Sequence, residues 1–259
     1  MVGRARRAWV TLAALLCPQA AAADVDELLT ALKRARMLAV RGQAEVTVNF
    51  PPRPEPSRRA AQLPAVPVLP GLLARNFSVV RGGTDTVAGR AATRYDLTPH
   101  NVGAGRWTLW VDLVWRLPLA FEERRPGGEL ARRATFLKVN AALAKVSRPV
   151  ALPPAGLRAA LLQALPGLRL PDGFTPVDVK KQGERWTVTL SDGINVLVLV
   201  TAPRGVQAAP GVTSRPVAGS FVWLVGNLPQ EALDSALSGV HQVRPARLGT
   251  FLTAADSNP

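Results

Sequence analysis

The sequence predicts an α+β protein in two parts, each setting helices against antiparallel strands. Three observations carry that prediction. Short alternating apolar segments recur with turn chemistry between them, an apolar stripe at helical spacing opens each half, and "SRPVALPP" breaks the chain near 148–153.

The first 23 residues are set aside as a secretory leader. Arg4, Arg6 and Arg7 make a basic start, Ala8–Leu16 an apolar core too short to span a bilayer, and small residues precede an expected cut after Ala23. Cys17 offers a rival reading as a lipid anchor, but Leu16 stands before it where such a signal wants Gly, Ala or Ser. The cut removes the one cysteine, so the mature chain forms no internal disulfide and no thiolate metal site. With 47% apolar residues, burial alone must stabilise it. The formal charge of +14, three units of it in the leader, favours anionic lipid, acidic glycans or acidic protein surfaces. Export argues against nucleic acid, and arginines scattered along an Ala-, Pro- and Leu-rich chain also fit simple compositional bias.

"DVDELLTALKRARML" predicts a helix, with Asp24 as cap, Glu27 completing a capping box, and Val25, Leu28, Leu29 and Leu32 on one stripe. "GQAEVTVNF" alternates as a strand with Ala44, Val46 and Val48 on one face. Seven prolines between 51 and 70 then deny helix and central strand alike, leaving a mobile loop or an extended flap. Strands resume with "ARNFSVVRG" and "AATRYDLTPH". Next, Trp107, Leu109 and Val111 alternate against Arg106, Thr108, Trp110 and Asp112, and Leu117, Leu119 and Phe121 repeat the pattern after a short reversal. "PGG" (126–128) turns the chain into "ELARRATFLKVN", completing an antiparallel meander. In the second half "AGLRAALLQAL" predicts a helix with Leu157, Leu161, Leu162 and Leu165 together. "LPDGFTPVDVKKQ", "ERWTVTL" and "INVLVLV" form a second meander with "SDG" (191–193) as a turn. "GSFVWLVGN" adds a strand, "LPQEALDSALSGV" a closing helix, and the tail is expected to be disordered. Neither "INVLVLV" nor any other segment after the leader reads as transmembrane.

Catalytic chemistry finds no foothold. His100 and His241 stand in different halves without companions for zinc, and no serine sits in a nucleophile-elbow context. "GAG" (103–105) leads into a strand, whereas a phosphate loop opens a helix. Glu122 and Glu123 are adjacent on a strand and face opposite ways, so they are no acid/base pair. Asp112, among aromatics, is expected to end a strand or pair with an arginine. No cofactor or metal is implied. Trp107 and Trp110 do pose a question, because residues three apart on a strand face opposite sides. Apolar rings on both faces suggest a curved sheet around a helix, a ligand-holding cleft, or a domain interface.

The motifs themselves narrow this. "DTVAGRAATRYDLTPH" followed by "RWTLWVDLVWRLPLAFEERRPGGELARRATFLKV" resembles the amino-terminal domain of the MucB/RseB sigma-E regulatory family. "LPDGF", "LSDGINVLVLV" and "VWLVGNLPQEALDSAL" are similar to that family's second domain, so the likeness runs in order through most of 24–241. It implies a LolA-like unclosed antiparallel β-barrel wrapped around helices with an apolar cavity, followed by a smaller α+β domain. It also implies a periplasmic protein that binds the outer part of a membrane-bound anti-sigma factor and shields it from proteolysis until envelope stress. A lipid, a lipopolysaccharide or lipoprotein acyl chains are further implied ligands, and a LolA-type lipid or lipoprotein carrier is the alternative reading.

On that resemblance the cavity-face candidates are Val46, Val48, Trp107, Leu109, Val111, Leu117, Leu119 and Phe121, the opposite strand face being the alternative. Residues 51–74 depart from the family pattern. The expected organisation is a leader at 1–23, a first domain at 24–148 with the proline-rich loop at 51–74, a second domain at 149–245, and a tail at 246–259.

Overall fold

The computed structural model describes residues 18–52, 54–147, 152–205 and 209–252. The leader as far as residue 17, with Cys17, and the last seven residues lie outside them. No helix among the described residues is long and apolar enough to cross a membrane.

Helix α1 (Pro18–Arg34) comes first, then strands β1 (Leu38–Ala39), β2 (Gly42–Val48) and β3 (Ser57–Ala60). Helix α2 (Pro70–Asn76) is followed by β4 (Phe77–Val87), β5 (Arg90–Pro99), β6 (Arg106–Asp112), β7 (Pro118–Arg124), β8 (Leu130–Val139) and β9 (Ala144–Lys145). Seven of these strands form one antiparallel sheet in the order β3-β2-β8-β7-β6-β5-β4, and β1 pairs with β9 separately. The large sheet does not close, for β3 and β4 are its two edges.

Leu28, Ala31 and Leu32 of α1 are buried against the sheet with Val46, Val79, Tyr95, Leu97, Trp107, Leu109 and Phe121. The opposite face of the sheet carries ion pairs, Arg59–Glu45, Arg94–Asp96 and Glu122 with Arg124 and Arg133. Alternation therefore sorts this sheet into an apolar face under the helix and a charged face in water.

Two expectations for α1 are corrected. Asp24 does not cap it, because the alanines upstream are strong helix formers and the helix begins at Pro18. Asp24 instead accepts the backbone N–H of Arg81 at 3.0 Å, on edge strand β4. Glu27 forms no capping box. It pairs with Arg81 at 3.2 Å and with Arg116. Burial pulls its pKa upward, but hydrogen bonds from Tyr95 and Arg116 and the charges of both arginines outweigh that and hold it below the usual carboxylate range. The Tyr95 hydroxyl is pushed up to about 12, by burial first and by Glu27 second.

The proline-rich segment is neither wholly loop nor flap. Its prolines spare Ser57–Ala60, which adds the edge strand β3, and Pro70 stands in the first turn of α2, where no N–H is needed. Between them, residues 61–69 run without regular structure.

The second sheet contains β10 (Thr175–Gln182), β11 (Arg185–Ser191), β12 (Val196–Ala202), β13 (Val212–Val217) and β14 (Ser220–Gly226), in the order β10-β11-β12-β14-β13. Helices α3 (Leu157–Ala164) and α4 (Gln230–Ser238) and a 3-10 turn (Pro245–Phe251) share its core. Leu157, Leu161, Leu165, Leu233, Leu237 and Leu248 are buried with Val188, Leu190, Leu199 and Leu224, while Leu162 remains exposed. Strand β13 escaped the sequence reading because Pro216 breaks its pattern, which an edge position tolerates. The expected tail is ordered at its start for a similar reason: Leu248 finds a buried site, so 245–251 folds.

Candidate functional site: a cavity beside a polar seam

The two sheets meet along a seam of buried polar groups. In the Ser-Asp-Gly turn, Asp192 Oδ1 accepts the backbone N–H groups of Ile194 at 3.1 Å and Asn195 at 2.9 Å, and Oδ2 accepts Asn195 Nδ2 at 2.8 Å. That fixes the Asn195 amide, whose oxygen accepts the Trp107 indole N–H at 2.8 Å and whose nitrogen donates to the Gly105 carbonyl at 3.0 Å. One tryptophan thus fills the core beneath α1 and reaches across to the second sheet. Nearby, Asn76 Nδ2 donates to the carbonyls of Asp192 and Gly173, and Asn101 Nδ2 to that of Asp172.

Gly193 makes a close backbone contact across the seam. The N–H of Leu69 donates to its carbonyl at 2.8 Å, and a β-carbon on Gly193 would stand 2.3 Å from the backbone nitrogen of Leu73. Its φ of +126 also belongs to glycine. A second link is made by Glu123, buried, which accepts Asn227 Nδ2 at 2.8 Å and pairs with Arg132. Glu122 and Glu123 do face opposite sides of β7, one to water and one to this seam.

Beside the seam lies a cavity of about 630 Å³, within the range that takes small ligands. One wall comes from the end of α1 and the chain after it, at Leu32, Ala35, Arg36, Leu38 and Val40. A second is the strap Gln62–Leu69, and a third Leu117, Pro118, Phe121 and Phe136. Val177, Thr189 and Val196 of the second sheet complete it, on the face away from α3 and α4. The lining is mainly aliphatic and aromatic. Its polar groups are few: Arg36, whose guanidinium donates to the Val68 carbonyl at 3.0 Å; Gln62, with a buried amide oxygen that has no partner among the described residues; and Asp178, Lys180, Thr189 and Ser191.

Of the eight candidate residues, Leu117 and Phe121 stand in this wall. Val46, Trp107, Leu109 and Val111 lie deeper, in the core that α1 covers, and Val48 packs at its margin. Leu119 belongs to a separate cluster with Val40, Ala44 and Phe136. A bulge explains the split: Trp110 pairs with Ala120 but Val111 with Pro118, so Leu119 is left over and the alternation breaks. The strap and the second-sheet wall were missed. Their signal was apolar residues between the prolines of "LPAVPVL", which mark a loop that packs, not one that is solvated.

Asp112 ends β6 and is buried, with Arg90 donating to it twice, at 2.6 and 3.1 Å, so both sequence expectations for it meet in one residue. The Arg90 guanidinium also lies 3.5 Å from the centre of the Trp115 ring. The two histidines lie apart, each ring with one hydrogen-bond partner among the described residues. His100 shares a hydrogen bond with Ser78 at 3.2 Å, and His241 lies 3.1 Å from the Gly239 carbonyl. Among the described residues no cluster of His, Cys, Asp and Glu is suited to a metal ion.

No family model matches this chain, and no curated protein matches it by sequence. Solved structures do. A crystal structure of MucB superposes with a TM-score of 0.60 at 18% identity, covering 85% of this chain and 98% of the other. The chain has the MucB fold. The MucA/MucB complex of Pseudomonas aeruginosa superposes equally, at 0.60 and 17% identity over 85% of this chain and 99% of that one. MucB in complex with MucA(peri) gives 0.59 and 18% identity, again over 85% and 99%. The MucB-like fold therefore extends through both sheets and is not confined to the first.

Proposed function

We propose that this chain is a periplasmic regulatory binding protein, which holds the extracytoplasmic part of a membrane-bound anti-sigma factor and controls its proteolysis under envelope stress. The single observation carrying the proposal is the two-sheet likeness to MucB, which two of those structures contain in complex with MucA. A lipid or lipoprotein carrier of the LolA type would need only the first sheet. The docked second sheet, with its dedicated polar seam, favours regulation. Binding and not bond chemistry is the work assigned to the site.

In this reading the aliphatic cavity receives an acyl chain from a lipid, lipopolysaccharide or lipoprotein, and filling it changes the grip on the protein partner. An apolar hollow of this size suits such a chain, and the free amide oxygen of Gln62 can accept a donor from its polar end. The test is affinity capture of the tagged mature chain from envelope extracts, followed by mass spectrometry of both protein and lipid. Recovery of a single-span anti-sigma protein supports the reading. Recovery of acyl chains alone, with lipoprotein transfer between membranes depending on the chain, would replace it with the carrier.

A further inference from the structure

One end of the first sheet concentrates positive charge. The last turn of α1 supplies Lys33 and Arg34, and the chain then runs through Arg36 and Met37 into β1. Pairing brings the rest to the same end: Leu38 lies opposite Lys145, the N–H of Val146 donates to the Met37 carbonyl, and that of Asn140 to the Arg41 carbonyl. Gln43 pairs with Lys138. Six cations thus gather within three short segments, and among the described residues none of them forms an ion pair with a carboxylate.

Several cations elsewhere on this sheet are paired, although among the described residues Arg58 and Arg106 are not. Arg59, Arg94, Arg124, Arg132 and Arg133 are each paired with an acid. The helix dipole accounts for Lys33 and Arg34 but not for Arg41, Lys138 or Lys145. Within the same patch Met37 is 58% exposed and Leu137 44%, two large apolar side chains flanked by cations. Arg36 and Leu38 also line the cavity, so the patch borders one of its walls.

We infer that this end of the molecule docks on an anionic bilayer surface. Lys33, Arg34, Arg41, Lys138 and Lys145 would meet the phosphate layer, while Met37 and Leu137 reach the acyl boundary. Basic residues around exposed apolar side chains suit the interface between headgroups and hydrocarbon. The contact is electrostatic and reversible, and it would bring the cavity wall beside a source of lipid. It is separate from the protein partner proposed above, so either can fail alone.

Cosedimentation of the mature chain with vesicles tests it, comparing phosphatidylglycerol mixed into phosphatidylcholine with phosphatidylcholine alone. Binding is expected only where phosphatidylglycerol is present, and it should fall as sodium chloride is raised. Lys33→Gln, Arg34→Gln, Lys138→Gln and Lys145→Gln together should weaken it by at least about tenfold. The same charge loss elsewhere, Arg58→Gln, Arg59→Gln, Arg185→Gln and Arg204→Gln, should change it by no more than about twofold. Equal losses in the two variants would mean that net charge alone binds, and would overturn the proposal. So would vesicle binding untouched by the first variant, or wild-type chain that stays in the supernatant and instead binds an acidic polypeptide. As a second readout, Met37→Cys carrying an environment-sensitive dye should shift to the blue on the vesicles. A dye that stays in water on bound protein would also count against the patch.

Discussion

Two turns in this molecule bury an aspartate at a strand end, and they solve the same problem differently. Asp112 ends β6, with a bidentate arginine and two backbone N–H groups from Val114 and Trp115. Asp192 follows β11 and is just as buried, but its partners are neutral: two backbone N–H groups and the Asn195 amide. Burial alone would raise the pKa of Asp112, yet Arg90 and the N–H donors outweigh it and leave the carboxyl below its usual range. At Asp192 burial wins over the donors and the pKa is pushed up. The arginine-held turn is a self-contained brace within one sheet. The amide-held turn spends its hydrogen bonds on aiming Asn195 at Trp107, and so joins two sheets. A cation makes a buried acid stable, whereas its absence leaves the acid available to orient a neighbour.

The largest effect should come from breaking the second turn sterically. Gly193→Ala sets a methyl group against the Leu73 backbone and forces a glycine-only φ on alanine. Adding strain to overpacking gives a loss of about 4 kcal/mol. In urea the second sheet should then unfold ahead of the first, splitting one transition in two; a single unshifted transition would show that the sheets are not coupled through this turn. Next comes the first turn. Arg90→Ala leaves the Asp112 charge buried and unpaired, which costs about 3 kcal/mol after allowance for the part of Arg90 that faces water. Asp112→Asn in the Arg90→Ala background should recover much of that loss. Failure to recover would mean that Arg90 acts through its packing on Trp115 and not through the charge.

Trp107→Phe sharpens the contrast with a smaller change. The ring stays in the core beside Phe121, but Asn195 loses its indole donor, at a cost of about 1–2 kcal/mol. The useful measurement is hydrogen exchange on either side of the seam. Protection should fall at Gly105 and around residues 192–195 while β6 stays protected. Uniform loss throughout the first sheet would place the role of Trp107 in packing alone.

Much of this was legible from residue type and spacing. Trp107 and Trp110 had to face opposite sides, and they do: one enters the core and the other donates to Asp85 at the rim. The opposed faces of Glu122 and Glu123 followed from the same rule. Asp112 among aromatics needed a strand end or an arginine, and has both. What stayed hidden depends on contacts between distant segments. Nothing local to "SDG" announces that its glycine docks on α2, and nothing local to "LPAVPVL" says that a proline-spaced strap finds a second sheet to lean on. The bulge at Leu119 is hidden for another reason, because alternation assumes an unbroken ladder.

The smallest predicted effect is also the one that separates the two turns by sign. Asp112 and Glu27 have lowered pKa values, so their contribution is present above the ordinary carboxylate pKa and is lost as pH falls through the folded values. Asp192 has a raised pKa, so its contribution is complete below the ordinary value and declines as pH rises through the folded one. Acid should therefore loosen the first sheet, at the Arg90 brace and at the α1 contact. Rising pH should loosen the seam. Tryptophan fluorescence can follow both, since Trp115 stacks on Arg90 and Trp107 bonds to Asn195. In a background with Trp110, Trp186 and Trp223 replaced by Phe, adding Trp107→Phe or Trp115→Phe isolates each signal. In Trp107→Phe the emission change should appear only below about pH 4, near the reference value for an aspartate. In Trp115→Phe, the remaining Trp107 should respond to the opposite direction of pH. If both variants respond to acid alone, Asp192 is ionised throughout, and its three donors would have to outweigh its burial as Arg90 does for Asp112.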